Sequence, residues 1–229
     1  MGGDKAPQMI IEGANRFTAS FPDVHFLLYG NEKKIKPILG HCRNLTDKYR
    51  IIHTEGFIAA DEKPSVALRR GTNSSMRLAI DAVKEGQADV IISAGNTGAL
   101  MAIAKIVLRP LASIDRPAIV TSIPNKKGQT TVFLDMGANI DCDANILFQF
   151  AVMGCAFARA VREIENPKIG VLNVGSEDLK GHDNVRNVAT MLKNSIYASQ
   201  YHGYVEGDDI AKGEVDVIVT DGFTGNITL

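Results

Sequence analysis

Small polar residues follow three apolar runs in the sequence, at positions where they could bind a ligand. The segments are ADVIISAGNTG at 88–98, KIGVLNVGSED at 168–178 and VDVIVTDGFTGN at 215–226. Continuous Val and Ile runs are typical of strands that are covered on both faces, and open α/β sheets bind ligands just beyond the carboxyl ends of their parallel strands. These residues therefore indicate a binding site built at strand ends.

Two of these turns have residue types suited to an oxyanion. In the 95–98 turn and the 222–226 turn, glycines let backbone N–H groups approach a ligand, and a helix is expected directly behind each turn. Asn96 and Asn226 could donate side-chain N–H groups to phosphate or to the oxyanion of an acyl-transfer intermediate. We expect both turns to bind one anion, but the same residues are also ordinary turn and N-cap types, and the sequence leaves both roles open.

The candidate catalytic residues are the charged Lys180 and Asp221, together with Asn226. Lys180 could neutralise the charge of phosphate, and its alternative is a solvated loop lysine. Asp221 would repel phosphate unless it accepts a proton or orients a neighbouring donor, so we assign it general acid/base or orienting work. No histidine has a Ser or Cys partner in a motif, so we predict no hydrolase triad.

An acidic cluster at Asp135, Asn139, Asp141 and Asp143 raises the alternative of a metal site. Asp141 and Asp143 precede a predicted helix, where an N-cap is required, and the ligand spacing is not distinctive. We therefore predict no metal and no other cofactor. No Gly-x-Gly-x-x-Gly segment follows a strand with an acidic residue downstream, which argues against a nucleotide-dependent dehydrogenase.

Composition limits the partners of this protein. In 229 residues, 25 Lys and Arg balance 26 Asp and Glu, so the chain lacks the basic field that nucleic-acid binding uses. Apolar runs stay short of the roughly 20 residues that cross a bilayer, and the first residues do not form a secretory signal. The irregular spacing of Cys42, Cys142 and Cys155 fits reduced thiols. We predict a cytoplasmic protein with no nucleic-acid partner.

Strands and helices that must position these residues alternate along the chain. We predict strands near 24–29, 50–53, 89–93, 118–122, 131–135, 168–174 and 215–220, and helices near 64–86, 97–108, 144–165 and 183–195. Such alternation favours a mainly parallel sheet with helices on both faces, in a single α/β catalytic domain over 1–229. Because the chain opens on a turn and stops where a helix begins, we expect this domain to be incomplete at both ends.

Seven motifs, in one order across nearly the whole chain, resemble the bacterial phosphate acyltransferases of the PlsX family. They are MGGD with AP at 1–7, NSSM at 73–76, SAGNTGAL at 93–100, DRPA at 115–118, DMGAN at 135–139, NVGSED with KG at 173–181 and TDGFTGN at 220–226. Family members begin with a strand before the first motif and continue well past residue 229. The candidate substrate-binding residues are Asp4, Gly95, Asn96, Thr97, Gly98, Asp135, Asn139, Gly222, Thr224 and Gly225.

The resemblance implies transfer of a fatty acyl group from acyl carrier protein to inorganic phosphate, giving the acyl phosphate used in phospholipid synthesis. It implies a fold like that of isocitrate and isopropylmalate dehydrogenases and of phosphotransacetylase, a homodimer in the full-length family, and peripheral membrane contact. Phosphate attack on a thioester needs no enzyme nucleophile, so positioning and charge stabilisation dominate. The alternatives are a dehydrogenase-like ligand-binding protein on the same fold and an inactive, truncated interaction protein.

Overall fold

The computed structural model describes all 229 residues, which form two compact units, Met1–Arg109 and Pro110–Leu229. The sequence predicted one α/β domain over the same residues. Each unit has its own sheet, of two strands in the first unit and of five in the second. The α/β class predicted from the sequence is confirmed in both.

The first unit contains five helices and a parallel pair of strands. Its elements are α1 Gln8–Ser20, β1 Phe26–Gly30, α2 Glu32–Leu39, β2 Tyr49–His53, α3 Pro64–Arg70, α4 Ser75–Lys84 and α5 Thr97–Leu108. β1 pairs with β2 from Phe26 opposite Tyr49 to Gly30 opposite His53. One apolar cluster includes Ile11 of α1 and Leu28 of β1, and another includes Ile103 of α5.

Polar residues at the helix starts explain where several of these helices begin. The side chains of Asn31, Ser74 and Asn96 each accept a hydrogen bond from a backbone N–H in the first turn of α2, α4 and α5. Pro64 occupies the start of α3, where a missing N–H breaks no helical bond. The helix predicted over 64–86 is therefore two helices, because Ser74 caps a new one after the break at Gly71.

The strand predicted at 89–93 is absent, and this prediction was wrong. Residues 89–96 contain neither helix nor strand, and the side chains of Val90 and Ile92 are 70% and 75% exposed. A strand exists only where a neighbour completes its hydrogen-bond ladder, and β1 pairs with β2 alone. The apolar run in the sequence carries no information on whether a neighbouring strand pairs with it.

The second unit contains a mixed sheet and three helices. Its elements are β3 Val120–Pro124, β4 Thr130–Leu134, α6 Ala144–Arg162, β5 Ile169–Leu172, α7 Asp183–Lys193, β6 Tyr201–Val205, β7 Val217–Val219 and α8 Gly222–Thr228. The strand order is β3-β4-β7-β5-β6, and only β3 runs antiparallel to its neighbour. A hairpin turn joins β3 to β4, closed by a hydrogen bond from Asn125 N to Gln129 O at 2.9 Å.

Both faces of this sheet are covered, which explains the continuous apolar runs in its strands. Val217 and Val219 pack in a cluster with residues of α6 and α7, whereas Ile218 packs in a second cluster with Leu172 and Ile210. All three β7 residues are fully buried. A strand with no exposed face needs no polar alternation, so the sequence prediction for 215–220 holds.

The long helix α6 covers one face of the sheet. By length and composition alone it is apolar enough to cross a membrane, since an 18-residue stretch of it has a mean hydropathy of 1.5, although no apolar run of that length was expected from the sequence. Its Phe150, Ala151 and Cys155 are fully buried in the cluster that contains Val217. A side chain at Gly154 would stand 2.5 Å from Val217 Cγ1, so this glycine lets α6 lie close to β7. These contacts identify α6 as the core helix of the second unit.

Candidate functional site

In the first unit, the opening turn of the chain lies directly against the 95–98 turn. A Cβ at Gly3 would stand 2.6 Å from the carbonyl oxygen of Ala94, and a Cβ at Gly2 would stand 2.3 Å from that of Ile58. Only glycine fits such close backbone approaches. Asp4 follows Gly3 and is exposed. The structure thus brings together the opening turn that carries Asp4 and the turn that contains Gly95.

Asn96 has all its side-chain hydrogen-bonding atoms engaged within the first unit. Its Oδ1 accepts from Ala99 N at 2.9 Å. Its Nδ2 lies within hydrogen-bond distance of the carbonyl oxygens of Ala59, Ala60 and Glu62, at 3.2, 3.1 and 2.7 Å. The side chain caps α5 and anchors the 59–62 loop, so an anion would have to displace one of these bonds. Of the first N–H groups of α5, that of Ala99 is used by this cap, whereas those of Thr97 and Gly98 begin the helix without an intrahelical partner.

We expect Asn96→Asp to lower the free energy of unfolding by about 1–3 kcal/mol. The aspartate keeps the cap acceptor but places a carboxylate against three carbonyl oxygens. The matched control is Asp143→Asn, because Asp143 caps α6 by accepting from Ile146 N at 2.9 Å and donates nothing. That control should change stability by only a few tenths of a kcal/mol. Urea unfolding measures both, and equal midpoints would contradict the anchoring role of Asn96.

Asp135 is the centre of a hydrogen-bonded turn in the second unit, here called the 135–139 turn. The residue is fully buried, and its carboxylate accepts from Ile119 N at 2.9 Å, Ala138 N at 3.1 Å and Asn139 N at 2.7 Å. Asn139 Nδ2 donates to the same carboxylate and to Pro117 O, both at 2.8 Å. Both side chains therefore hold the turn together, and direct binding of substrate by them stays a prediction.

The residues from Asp221 to Asn226, here called the 221–226 turn, pack against the 135–139 turn. Gly222 N donates to Asn139 O at 2.7 Å. A Cβ at Gly225 would stand 1.8 Å from Asp135 O, and a Cβ at Gly137 would stand 2.8 Å from Asn226 Nδ2. The structure therefore brings together Asp135, Asn139 and most of the TDGFTGN motif.

Asp221 and Asn226 differ in how they are used. The Asp221 carboxylate accepts from Thr224 N at 2.8 Å and from Thr224 Oγ1 at 3.0 Å, so it caps α8. This capping role is enough to account for an aspartate at position 221, without any part for it in a reaction. The Asn226 side chain is exposed, makes no hydrogen bond within the protein and lies over Gly137. Asn226 is thus the amide donor of this turn that is free to meet a ligand.

Lys180 lies in the loop that follows β5. Asn173 shapes this loop, because its Nδ2 donates to Gly175 O at 3.0 Å and to Lys180 O at 3.2 Å. The Lys180 side chain is exposed and belongs to none of the ion pairs of the chain. Its ammonium group is therefore available to an anion, although no contact joins it to the 221–226 turn.

Two neighbours of these turns were not among the residues predicted for the site. Cys142 Sγ donates to Asn139 O at 3.4 Å. Burial raises the pKa of the Cys142 thiol to about 11, and the charges of Asp135 and Asp221 add to this, so it is a neutral packing group. Arg116 donates to Asp141 O at 3.2 Å and brings a cation to the edge of the 135–139 turn. The DRPA motif was the available signal for Arg116.

The chain is similar to known proteins over its whole length. The family model described as fatty acid synthesis protein matches residues 1–229. A phosphate acyltransferase of Phenylobacterium zucineum is 50% identical over 229 residues, which are 100% of this chain and 65% of that protein. One from Rhodospirillum centenum is 53% identical over 229 residues, 100% of this chain and 64% of that protein. The chain thus spans less than two thirds of the length of these relatives.

Solved structures with low sequence identity share the fold. A branched-chain phosphotransacylase from Enterococcus faecalis V583 matches with a TM-score of 0.57 and 15% identity, over 99% of this chain and 79% of that one. The EutD phosphotransacetylase from Staphylococcus aureus matches with a TM-score of 0.56 and 15% identity, over 96% of this chain and 84% of that one. The predicted likeness to the phosphotransacetylase fold is confirmed. With the family match and these relatives, the chain belongs to the fatty acid synthesis protein family, as its resemblance to the PlsX phosphate acyltransferases predicted.

Proposed function

We propose that this protein transfers a fatty acyl group from acyl carrier protein to inorganic phosphate, giving an acyl phosphate. The observation that carries the proposal is the match of all 229 residues to relatives named phosphate acyltransferase at 50% and 53% identity. The geometry supports it, because the motif turns present an exposed amide at Asn226 and an unpaired ammonium at Lys180. Both are groups that bind oxyanions.

The proposed reaction mainly requires that the enzyme hold the two reactants in position. A phosphate oxygen attacks the thioester carbonyl carbon, a C–O bond forms, the C–S bond breaks, and the carrier leaves as a thiolate that takes up a proton. Negative charge develops on the carbonyl oxygen, where a preorganised N–H donor is most effective. We assign Asn226 to that oxygen or to phosphate, and Lys180 to the charge of phosphate. Asp221 orients the turn through Thr224, and general acid/base work remains its second assignment.

Assembly, location and fold type complete the proposal. We infer a homodimer that lies in the cytoplasm with peripheral membrane contact, and phosphate and acyl carrier protein as its partners. The family resemblance supports these inferences, and the nearly balanced charge of the chain is consistent with them. An isocitrate dehydrogenase-like fold is the finer form of the α/β class, supported by the mostly parallel five-stranded sheet.

One assay tests the proposed reaction. The purified protein is incubated with acyl-acyl carrier protein, with and without inorganic phosphate, while free thiol and acyl phosphate are measured. We expect thiol release that requires phosphate and equals the acyl phosphate formed. A parallel reaction with nicotinamide cofactor and hydroxy acids tests the dehydrogenase alternative. A folded protein that releases no thiol in response to phosphate would contradict the proposal.

A further inference from the structure

We propose that Asp135 is a positioning residue for the reaction: its buried carboxylate holds the 135–139 turn in the shape that places the Asn226 amide. The inference rests on the proposed function for its catalytic consequence. It differs from the assignment of Asp135 as a substrate ligand, because the side chain is fully buried and its carboxylate accepts four hydrogen bonds from within the protein. Asp135 acts through the turn and not on the substrate.

Hydrogen bonds balance the charge of the buried Asp135 carboxylate. A buried carboxylate is costly unless hydrogen bonds replace its water. Asp135 receives these from the backbone N–H groups of Ile119, Ala138 and Asn139 and from the Asn139 amide, and no Lys or Arg forms an ion pair with it. The carboxylate thus joins the segment that leads into β3 to both ends of the 135–139 turn. An asparagine at this position would direct its own N–H₂ at one of these donors.

The 135–139 turn is in contact with the 221–226 turn. Gly222 N donates to Asn139 O, and Gly225 lies so close to Asp135 O that a Cβ has no room. Gly137, with φ +124, lies beneath the Asn226 amide, and a Cβ there would stand 2.8 Å from Asn226 Nδ2, so this side chain would have to turn away. These three contacts place the Asn226 amide by means of backbone atoms of the 135–139 turn. A change in the shape of that turn must therefore move Asn226.

The position of a catalytic group strongly affects the rate of the reaction. A misplacement of about 1 Å in a catalytic group can cost on the order of 10²-fold in rate. Asp135 is thus coupled to catalysis through the 135–139 turn, while its own oxygens stay away from the reacting atoms. A merely structural residue would lower stability without a selective change at the 221–226 turn. That difference makes the two roles separable by experiment.

The test compares Asp135→Asn with Asp143→Ala, which removes a carboxylate cap of the same unit that makes no bond to the 135–139 turn. Amide hydrogen exchange is followed along the whole chain, together with kcat and the KM for phosphate. We expect Asp135→Asn to speed exchange at residues 222–226 by at least about 10-fold and to lower kcat by about 10- to 100-fold, with a smaller change in KM. Asp143→Ala should lower stability and leave exchange at 222–226 and kcat unchanged.

The outcomes of this test separate the positioning role of Asp135 from the proposed function. Unchanged exchange at residues 222–226 in Asp135→Asn, or an equal change in Asp143→Ala, overturns the positioning role. Wild-type protein without phosphate-dependent thiol release overturns the proposed function, and the exchange data still decide whether Asp135 places the turn.

A second pair of variants covers the case in which Asp135→Asn does not fold. Gly137→Ala and Gly128→Ala both carry the strain of a positive φ, but only at Gly137 would the added Cβ meet Asn226, since nothing lies within 4 Å of Gly128. A loss of kcat confined to Gly137→Ala supports the proposal, whereas equal kcat values in the two variants overturn it.

Discussion

Replacing Asn226 with alanine is expected to lower kcat by roughly 10²- to 10³-fold, the usual loss for one oxyanion donor. The Asn226 side chain is exposed and makes no hydrogen bond within the protein, so its removal leaves no buried group unsatisfied. The free energy of unfolding should therefore change by less than about 0.5 kcal/mol. Steady-state kinetics with acyl-acyl carrier protein and phosphate, together with thermal unfolding, measure the two effects separately.

The matched control is Asn166→Ala. Asn166 is also exposed and makes no side-chain hydrogen bond, but it lies in the loop before β5, away from the motif turns in the sequence. We expect the activity of this control to equal that of the wild type. Full activity in Asn226→Ala, or parallel losses of activity and thermal stability, would place Asn226 in the scaffold. The oxyanion donors would then have to be sought in the 95–98 turn.

The parts of the fold that the sequence predicted are those that depend on local residue type. β5 and β7 were found because buried strands need no polar alternation, and α5 and α6 because long runs of apolar, mostly helix-forming residues follow a polar residue that can cap a helix. β6 was missed because His202 and Gly203 interrupt the apolar pattern of its sequence, although the strand itself is continuous. The helix α1 was missed because it buries only Ile11, Ala14 and Thr18, a weak apolar face.

For the site too, features set by neighbouring residues were predicted, and features set by residues distant in the sequence were not. Motifs located the turns, but the use of each side chain depends on partners far away in the sequence. Asn96 meets carbonyl groups 34 to 37 residues away, and Asp135 meets Ile119 N 16 residues away. No spacing rule predicts such partners from one sequence. The sequence therefore indicated candidate residues, and the structure separates those engaged within the protein from the exposed Asn226 and Lys180.

The two glycines of the 221–226 turn show that a glycine in a motif can be required for close packing as well as for backbone flexibility. The sequence indicated that they free the backbone to bend near a ligand. In the structure, neither has a positive φ, and both lie where the backbone of the 135–139 turn leaves no space for a side chain. The requirement for glycine at these positions is thus a requirement of packing between two turns. A single added methyl group tests it.

We expect Gly225→Ala to lower the free energy of unfolding by about 1–3 kcal/mol, the usual cost of overpacking, and kcat by at least about 10²-fold. The new Cβ would stand 1.8 Å from Asp135 O, a backbone atom. Asp135 cannot easily move away, because its N–H donates to Thr220 O at 3.1 Å and Thr220 N donates to Leu134 O at 2.8 Å. The start of α8 must shift instead, and Asn226 shifts with it.

The control for this change is Gly13→Ala in α1. Gly13 is an exposed glycine inside a helix, with nothing within 4 Å of an added Cβ. Alanine there should raise stability by roughly 0.5–1 kcal/mol and leave kcat unchanged, because alanine loses less backbone freedom on folding than glycine. Urea unfolding and turnover are measured for both variants. If Gly225→Ala unfolds at the wild-type urea concentration and keeps full turnover, close packing of the two turns is not what places Asn226.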